Sequence, residues 1–141
     1  MNSAMLAPAA ALAMWSLIML IWMASLRLPA LKKLGLDPEK SRGGRGQDLD
    51  GVLPAPMQWK AHNYNHLMEQ PTVFYAVVII LALTDGSPLD LYLGWAYVGV
   101  RVVHSLWQAM VNTIPTRLLL FSIGSTILLV MAVRALLATL A

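Results

Sequence analysis

Four long apolar stretches, separated by one long polar segment and two short ones, set the plan of this chain. A membrane-crossing helix needs about 20 predominantly apolar residues. The first stretch, about Ala4 to Leu26, is long enough and carries no charge. It lacks the positive n-region of a signal peptide, and its apolar run is too long for an h-region, so it is expected to stay as a span. Arg27 and Pro29 are expected to close it. Residues 27–60 then form a loop rich in glycine, proline and charge, with a short helical turn after Asp37-Pro38. The second span is expected over about 61–83, with Pro71 inside it. The turn Thr84-Asp85-Gly86-Ser87-Pro88 leads to a third span, about 89–111. Asn112-Thr113-Ile114-Pro115 leads to a fourth, about 116–140, with Pro115 ahead of its first turn. Short connections make consecutive spans antiparallel neighbours. The predicted architecture is all-α: one integral membrane four-helix bundle over residues 1–141.

Composition sharpens this picture. Hydrophobic residues make up 58% of the 141 and charged residues 12%, against about 45–50% and about 25% in ordinary soluble domains. A soluble enzyme is effectively excluded. The formal net charge of +3 is concentrated in the first loop, which carries Arg27, Lys32, Lys33, Lys40, Arg42, Arg45 and Lys60. Loop three is flanked by Arg117, whereas loop two offers only Asp85 and Asp90. The positive-inside rule then puts loops one and three in the cytoplasm and both termini on the opposite side. Arg134 is expected to snorkel to that far interface, and several of the five tryptophans fit an interfacial belt. Basic residues interleaved with aromatics along one face are missing, so no nucleic-acid partner is expected. Without cysteine there is no disulfide or thiolate chemistry from the chain itself.

Ionisable groups inside a membrane are costly and need a partner or a purpose. His62, His66 and Glu69 share one helical face, with Asn65 beside them. Arg101, His104 and Gln108 share another. At ~1.5 Å per residue, Glu69 lies about 12 Å and Arg101 roughly 16 Å below the cytoplasmic surface. Those depths predict a direct Glu69–Arg101 ion pair, and Glu69→Gln is then expected to destabilise the bundle. Such a pair serves equally to fix helix register or to build a site. Taken singly, His104 reads as a hydrogen-bonding group, Arg117 as an interfacial anchor and the methionines as filler. His62-Asn63-Tyr64-Asn65-His66 has the histidine spacing of a zinc protease but Asn63 where the general base belongs, so that reading falls; a metal held by His62, His66, Glu69 and His104 is geometrically possible but not expected. The far halves of the spans are apolar, which argues against a channel and for a site open on one side.

The run from Lys60 through Ala61-His62-Asn63-Tyr64-Asn65-His66-Leu67-Met68-Glu69-Gln70-Pro71 to Tyr75 resembles the signature of the MAPEG family, the membrane-associated proteins in eicosanoid and glutathione metabolism. So do Tyr97-Val98-Gly99-Val100-Arg101-Val102-Val103-His104 and Pro115-Thr116-Arg117. The likeness covers about residues 10–140. It implies a homotrimer of four-helix protomers with a glutathione site between subunits near the cytoplasmic face. Carried over, Arg117 takes the place of the arginine that stabilises the glutathione thiolate. Glu69 is the family glutamate, holding the glutathione amino group or Arg101, and His104 lies in the matching Arg-x-x-His block. The chain departs from the pattern at His66, where the family has asparagine (Asn65 is one position off), at Gln108 and Phe121 for tyrosines, and at Leu118, where catalytic members often have serine.

Two readings follow. In the first, the protein is a glutathione-dependent transferase or peroxidase acting on a lipophilic electrophile from the bilayer. Arg117 is then catalytic, and Asn65, His66, Glu69, Arg101, His104 and Gln108 bind glutathione, which serves as co-substrate. In the second, it is a non-catalytic trimer or an accessory subunit of a larger membrane complex, with the same charges as internal glue. A pocket that takes a lipid or quinone from the surrounding membrane without chemistry is the third.

Overall fold

A computed structural model describes residues 1–141, all helical apart from turns and loops. Helix α1 covers Leu6–Leu34, α2 Ala55–Leu67, α3 Pro71–Leu83, α4 Pro88–Met110 and α5 Ile114–Leu140. Short 3-10 turns lie at Ser3–Met5 and Gly46–Leu49. Three pieces, Ser3–Leu34, Ala55–Leu83 and Ile114–Leu140, are each long and apolar enough to cross a membrane.

The first span does not close at Pro29. Helix α1 continues to Leu34, with Lys32 and Lys33 in its last turn, and ends at Gly35 in the left-handed region at φ 58°. Proline removes one backbone donor and frees a carbonyl. The carbonyl it frees is that of Ser25, an exposed residue two positions before Arg27, so the defect falls near the charged end of the helix and is tolerated. Lysines beside the last carbonyls also favour the helix end electrostatically.

The second span starts six residues earlier than the pattern predicts, at Ala55, and is divided in two. Pro71 lacks the N–H that would bond to the Leu67 carbonyl. The chain responds by tightening into i→i−3 bonds: Met68 N to Asn65 O at 3.0 Å, Glu69 N to His66 O at 3.2 Å, and Thr72 N to Glu69 O at 3.2 Å. The early start is held from outside the bundle core. Gln58 Nε2 donates to Leu49 O, and Lys60 Nζ lies 5.3 Å from the Trp22 ring centre. The helical turns predicted after Asp37-Pro38 are present, with Ser41 N bonding Asp37 O at 3.0 Å.

Helix α4, where a third span is expected over about 89–111, is not among the three pieces apolar enough to cross a membrane; it packs on α1, α2 and α5. That position explains how a membrane helix carries buried Asp90, Arg101, His104, Ser105 and Gln108. Polar groups in lipid must be satisfied internally. Two small residues allow its close packing. A Cβ on Gly94 would lie 3.2 Å from Pro8 Cγ of α1, and one on Gly124 of α5 would meet Val100 Cγ1 at 3.5 Å. Leu12, Met19, Phe74, Val78, Tyr97, Leu128 and Met131 form the core. Leu17, Ile21, Leu118, Leu129 and Leu136 remain exposed, as lipid-facing positions should.

At the end away from the basic loop, Arg134 does not snorkel outward. Its Nε donates to Asp90 Oδ1, and its Nη2 reaches Asp90 Oδ2 at 3.1 Å and Ser87 Oγ at 3.0 Å. Asp90 is 2% exposed and also accepts from Ser87 N at 2.8 Å. A buried carboxylate requires a cation and donors. Arg134 is the group within reach, so it turns into the bundle.

Candidate functional site

Three elements bring polar side chains together at the basic-loop end: the last turn of α2, the last two turns of α4 and the first two turns of α5. His66, His104, Gln108, Arg117, Ile114, Leu118 and Phe121 line one cavity of about 270 Å³. Ile114, Arg117, Leu118 and Phe121 come from one face of α5, and the histidines and the amide come from α2 and α4, so the lining mixes polar and apolar groups. Stacking orders its floor: the His66 and His104 ring centres lie 4.8 Å apart at 29° between planes, and Phe121 lies 5.7 Å from His66.

The predicted direct Glu69–Arg101 pair does not form. His66 stands between the two groups, with Nδ1 3.4 Å from Glu69 Oε2 and Nε2 3.3 Å from Arg101 Nη1. An arginine can only donate and an ionised carboxylate can only accept. This geometry therefore suits a neutral imidazole protonated at Nδ1, giving to Glu69 and receiving from Arg101. The tightened turn before Pro71 also lets the His66 carbonyl accept Arg101 Nη2 at 3.5 Å. Glu69 keeps a side chain 69% exposed, whereas Arg101 is 1% exposed. Helical rise matches the depths of the two residues but carries no sign that the turn swings Glu69 outward.

The other predicted residues divide. His104 and Gln108 are buried and line the cavity, and Gln108 Oε1 has no hydrogen-bond partner. An orphaned buried acceptor at a cavity wall is where a ligand donor would be welcomed. Arg117 also lines the cavity and is held by its neighbour in the preceding link, with Nη1 2.5 Å from Asn112 Oδ1. Asn65 is exposed and faces a separate small recess with Arg27, Asp50 and His62. Arg101 and Glu69 also lie outside the cavity wall.

Several contributors were not singled out from the sequence. Gln70, at the break between α2 and α3, accepts from Tyr97 OH at 3.0 Å and donates to Ser125 Oγ at 2.8 Å. It ties the kink to both α4 and α5. Tyr97 also stacks on Phe74, centres 4.4 Å apart. A glutamine directly before a proline inside an apolar run was the available signal. Asn112, the left-handed residue at φ 58°, was passed over as turn punctuation. Its side chain fixes Arg117.

The MAPEG family model matches residues 5–137. The chain belongs to the MAPEG family, and it is an integral membrane helical bundle. No curated protein and no solved structure gives a significant match to it.

Proposed function

We propose that this protein is a glutathione-dependent transferase or peroxidase that takes a lipophilic electrophile from the bilayer. The observation that carries the reading is the mixed lining of the cavity, which puts Arg117, Gln108 and two histidines beside Ile114, Leu118 and Phe121. A thiol needs a nearby cation to ionise near neutral pH, and Arg117 is the guanidinium in that lining. In the transferase reaction the thiolate sulfur bonds to the electrophilic carbon, the leaving group departs with its electron pair, and the thiol proton goes to water. In the peroxidase reaction two glutathione thiols reduce a hydroperoxide to alcohol and water, leaving glutathione disulfide. The apolar side chains of that lining admit the second substrate laterally, and Arg117 stabilises the anionic sulfur in both cases.

A cavity of about 270 Å³ falls just below the ~300–1,000 Å³ of ligand sites. It suits the thiol end of the tripeptide. Asn65 and Glu69, exposed outside this cavity, are then available to the rest of a peptide bound across a homotrimer interface. His66, His104, Arg101 and Gln108 complete or brace the wall. The positive-inside rule puts this end in the cytoplasm, where glutathione is plentiful, and both termini on the other side.

One observation favours the non-catalytic reading. Arg101 is buried and occupied by His66, away from the cavity wall, as a register-fixing group would be. Turnover separates the two readings. Purified protein is assayed with glutathione and either a lipophilic aryl halide or an alkyl hydroperoxide. The enzyme reading expects activity that Arg117→Ala abolishes while the oligomer stays intact. No turnover by an intact wild-type assembly supports the accessory-subunit reading.

A further inference from the structure

A second built cavity lies outside this site, where the loop between α1 and α2 folds back over the end of α1. It measures about 520 Å³ and is lined by Arg27, Lys40, Arg45 and Asp48 together with Leu31, Leu36, Leu49 and Val52. Three cations thus face a single carboxylate, and that carboxylate is already engaged: Asp48 Oδ2 accepts from Arg45 N at 2.7 Å. Neither Lys40 nor Arg45 has an ion-pair partner in the protomer. Arg27 donates through Nη2 to Gly46 O at 2.7 Å, while its Nε is buried without a partner. A Cβ at Gly46 would lie 3.4 Å from Arg27 Nη1. The bare glycine therefore lets the guanidinium lie along the loop backbone at the cavity edge.

The depth of this cavity narrows its ligand. Arg27 is the first charged side chain after 26 uncharged residues. The apolar part of α1, about 21 residues from Leu6 to Leu26, spans about 32 Å at ~1.5 Å per residue, close to the ~30 Å of a bilayer core. Arg27 therefore stands at headgroup level, and the helix beyond it leads out of the hydrocarbon. Arginine and lysine at that level attract anionic lipid headgroups, while the leucines and valine offer an apolar surface that a free inorganic anion would not need. We propose that this cavity holds the phosphate headgroup of an anionic lipid. Arg27, Lys40 and Arg45 surround the phosphate, and Leu31, Leu36, Leu49 and Val52 lie against the glycerol and upper acyl chain. The site is independent of the glutathione reading.

The test is native mass spectrometry of detergent-purified protein titrated with phosphatidylglycerol, phosphatidylcholine or inorganic phosphate. Phosphatidylglycerol is expected to bind once per protomer and well ahead of phosphatidylcholine. Lys40→Gln, which removes no protein hydrogen bond, is expected to weaken it about fivefold, and Lys40→Gln with Arg45→Gln about thirtyfold, at about one headgroup contact per cation. The control, Lys32→Gln with Lys33→Gln, removes as much charge from residues that do not line the cavity, and is expected to change affinity less than threefold. An equal loss in the control would make the attraction a diffuse surface effect and overturn the site. Binding of inorganic phosphate as tight as that of phosphatidylglycerol would assign the cavity to a soluble anion instead of a lipid.

Discussion

Replacing Glu69 and His66 in turn separates a direct ion pair from a histidine-bridged one. If Glu69 paired directly with buried Arg101, Glu69→Gln would strand a charge and cost about 3–5 kcal/mol. In the structure the Glu69 side chain is mostly exposed, and its carboxylate reaches His66 Nδ1 at 3.4 Å instead of Arg101. Its loss should therefore cost about 0–1 kcal/mol, as for an exposed pair. His66 is the costly position. His66→Leu removes the Nε2 contact to Arg101 at 3.3 Å, worth about 1.5–3 kcal/mol for a bond to a charged group. The bond is long, so the lower half of that range applies. Stacking on His104 at 4.8 Å adds about 0.5–1.5 kcal/mol. The expected loss is about 2–4 kcal/mol. Equilibrium unfolding in mixed micelles, followed by tryptophan fluorescence, measures both variants. Glu69→Gln as damaging as His66→Leu would refute the bridged arrangement.

Other outcomes follow from the same geometry. Gln70→Leu leaves the Tyr97 hydroxyl and Ser125 without their partner and should cost about 1–3 kcal/mol, seen as a lowered unfolding midpoint; Tyr97→Phe should cost less. Gly94→Val places methyls against Pro8, already 3.2 Å from a notional Cβ, and should cost about 1–3 kcal/mol by overpacking, measured the same way. Asn112→Ala removes the Arg117 partner and, if the proposed glutathione chemistry holds, should lower turnover more than it lowers stability, read by activity and unfolding on one preparation. Asp90→Asn and Arg134→Gln should each lower the unfolding temperature, and the double variant should lose less than the sum, because the two side chains bond each other.

The bundle was legible because apolar runs of about 20 residues admit few structures in a membrane. The basic loop and the convergence of His66, His104, Gln108 and Arg117 followed from helical spacing and from which spans share an end. Spacing could not show side-chain reach. An outward Arg134 is the natural reading of the sequence, because nothing in it signals that Asp90, forty-four residues earlier, is buried opposite. A direct Glu69–Arg101 pair follows only if the span runs unbroken through Pro71. In fact its missing N–H tightens the turn that points Glu69 outward and places His66 between the charges. Gln70 and Asn112 were hidden for a similar reason: each looks like punctuation beside a proline or at a turn, and its role appears only with the neighbouring helix in place.

The measurement that bears most directly on the central claim is glutathione binding to the detergent-purified assembly by calorimetry, with thiolate absorbance followed near neutral pH. The account predicts micromolar-to-millimolar binding and a thiolate signal that disappears in Arg117→Ala while the assembly persists. An intact assembly that binds no glutathione, or one whose thiolate signal survives the loss of Arg117, would contradict it.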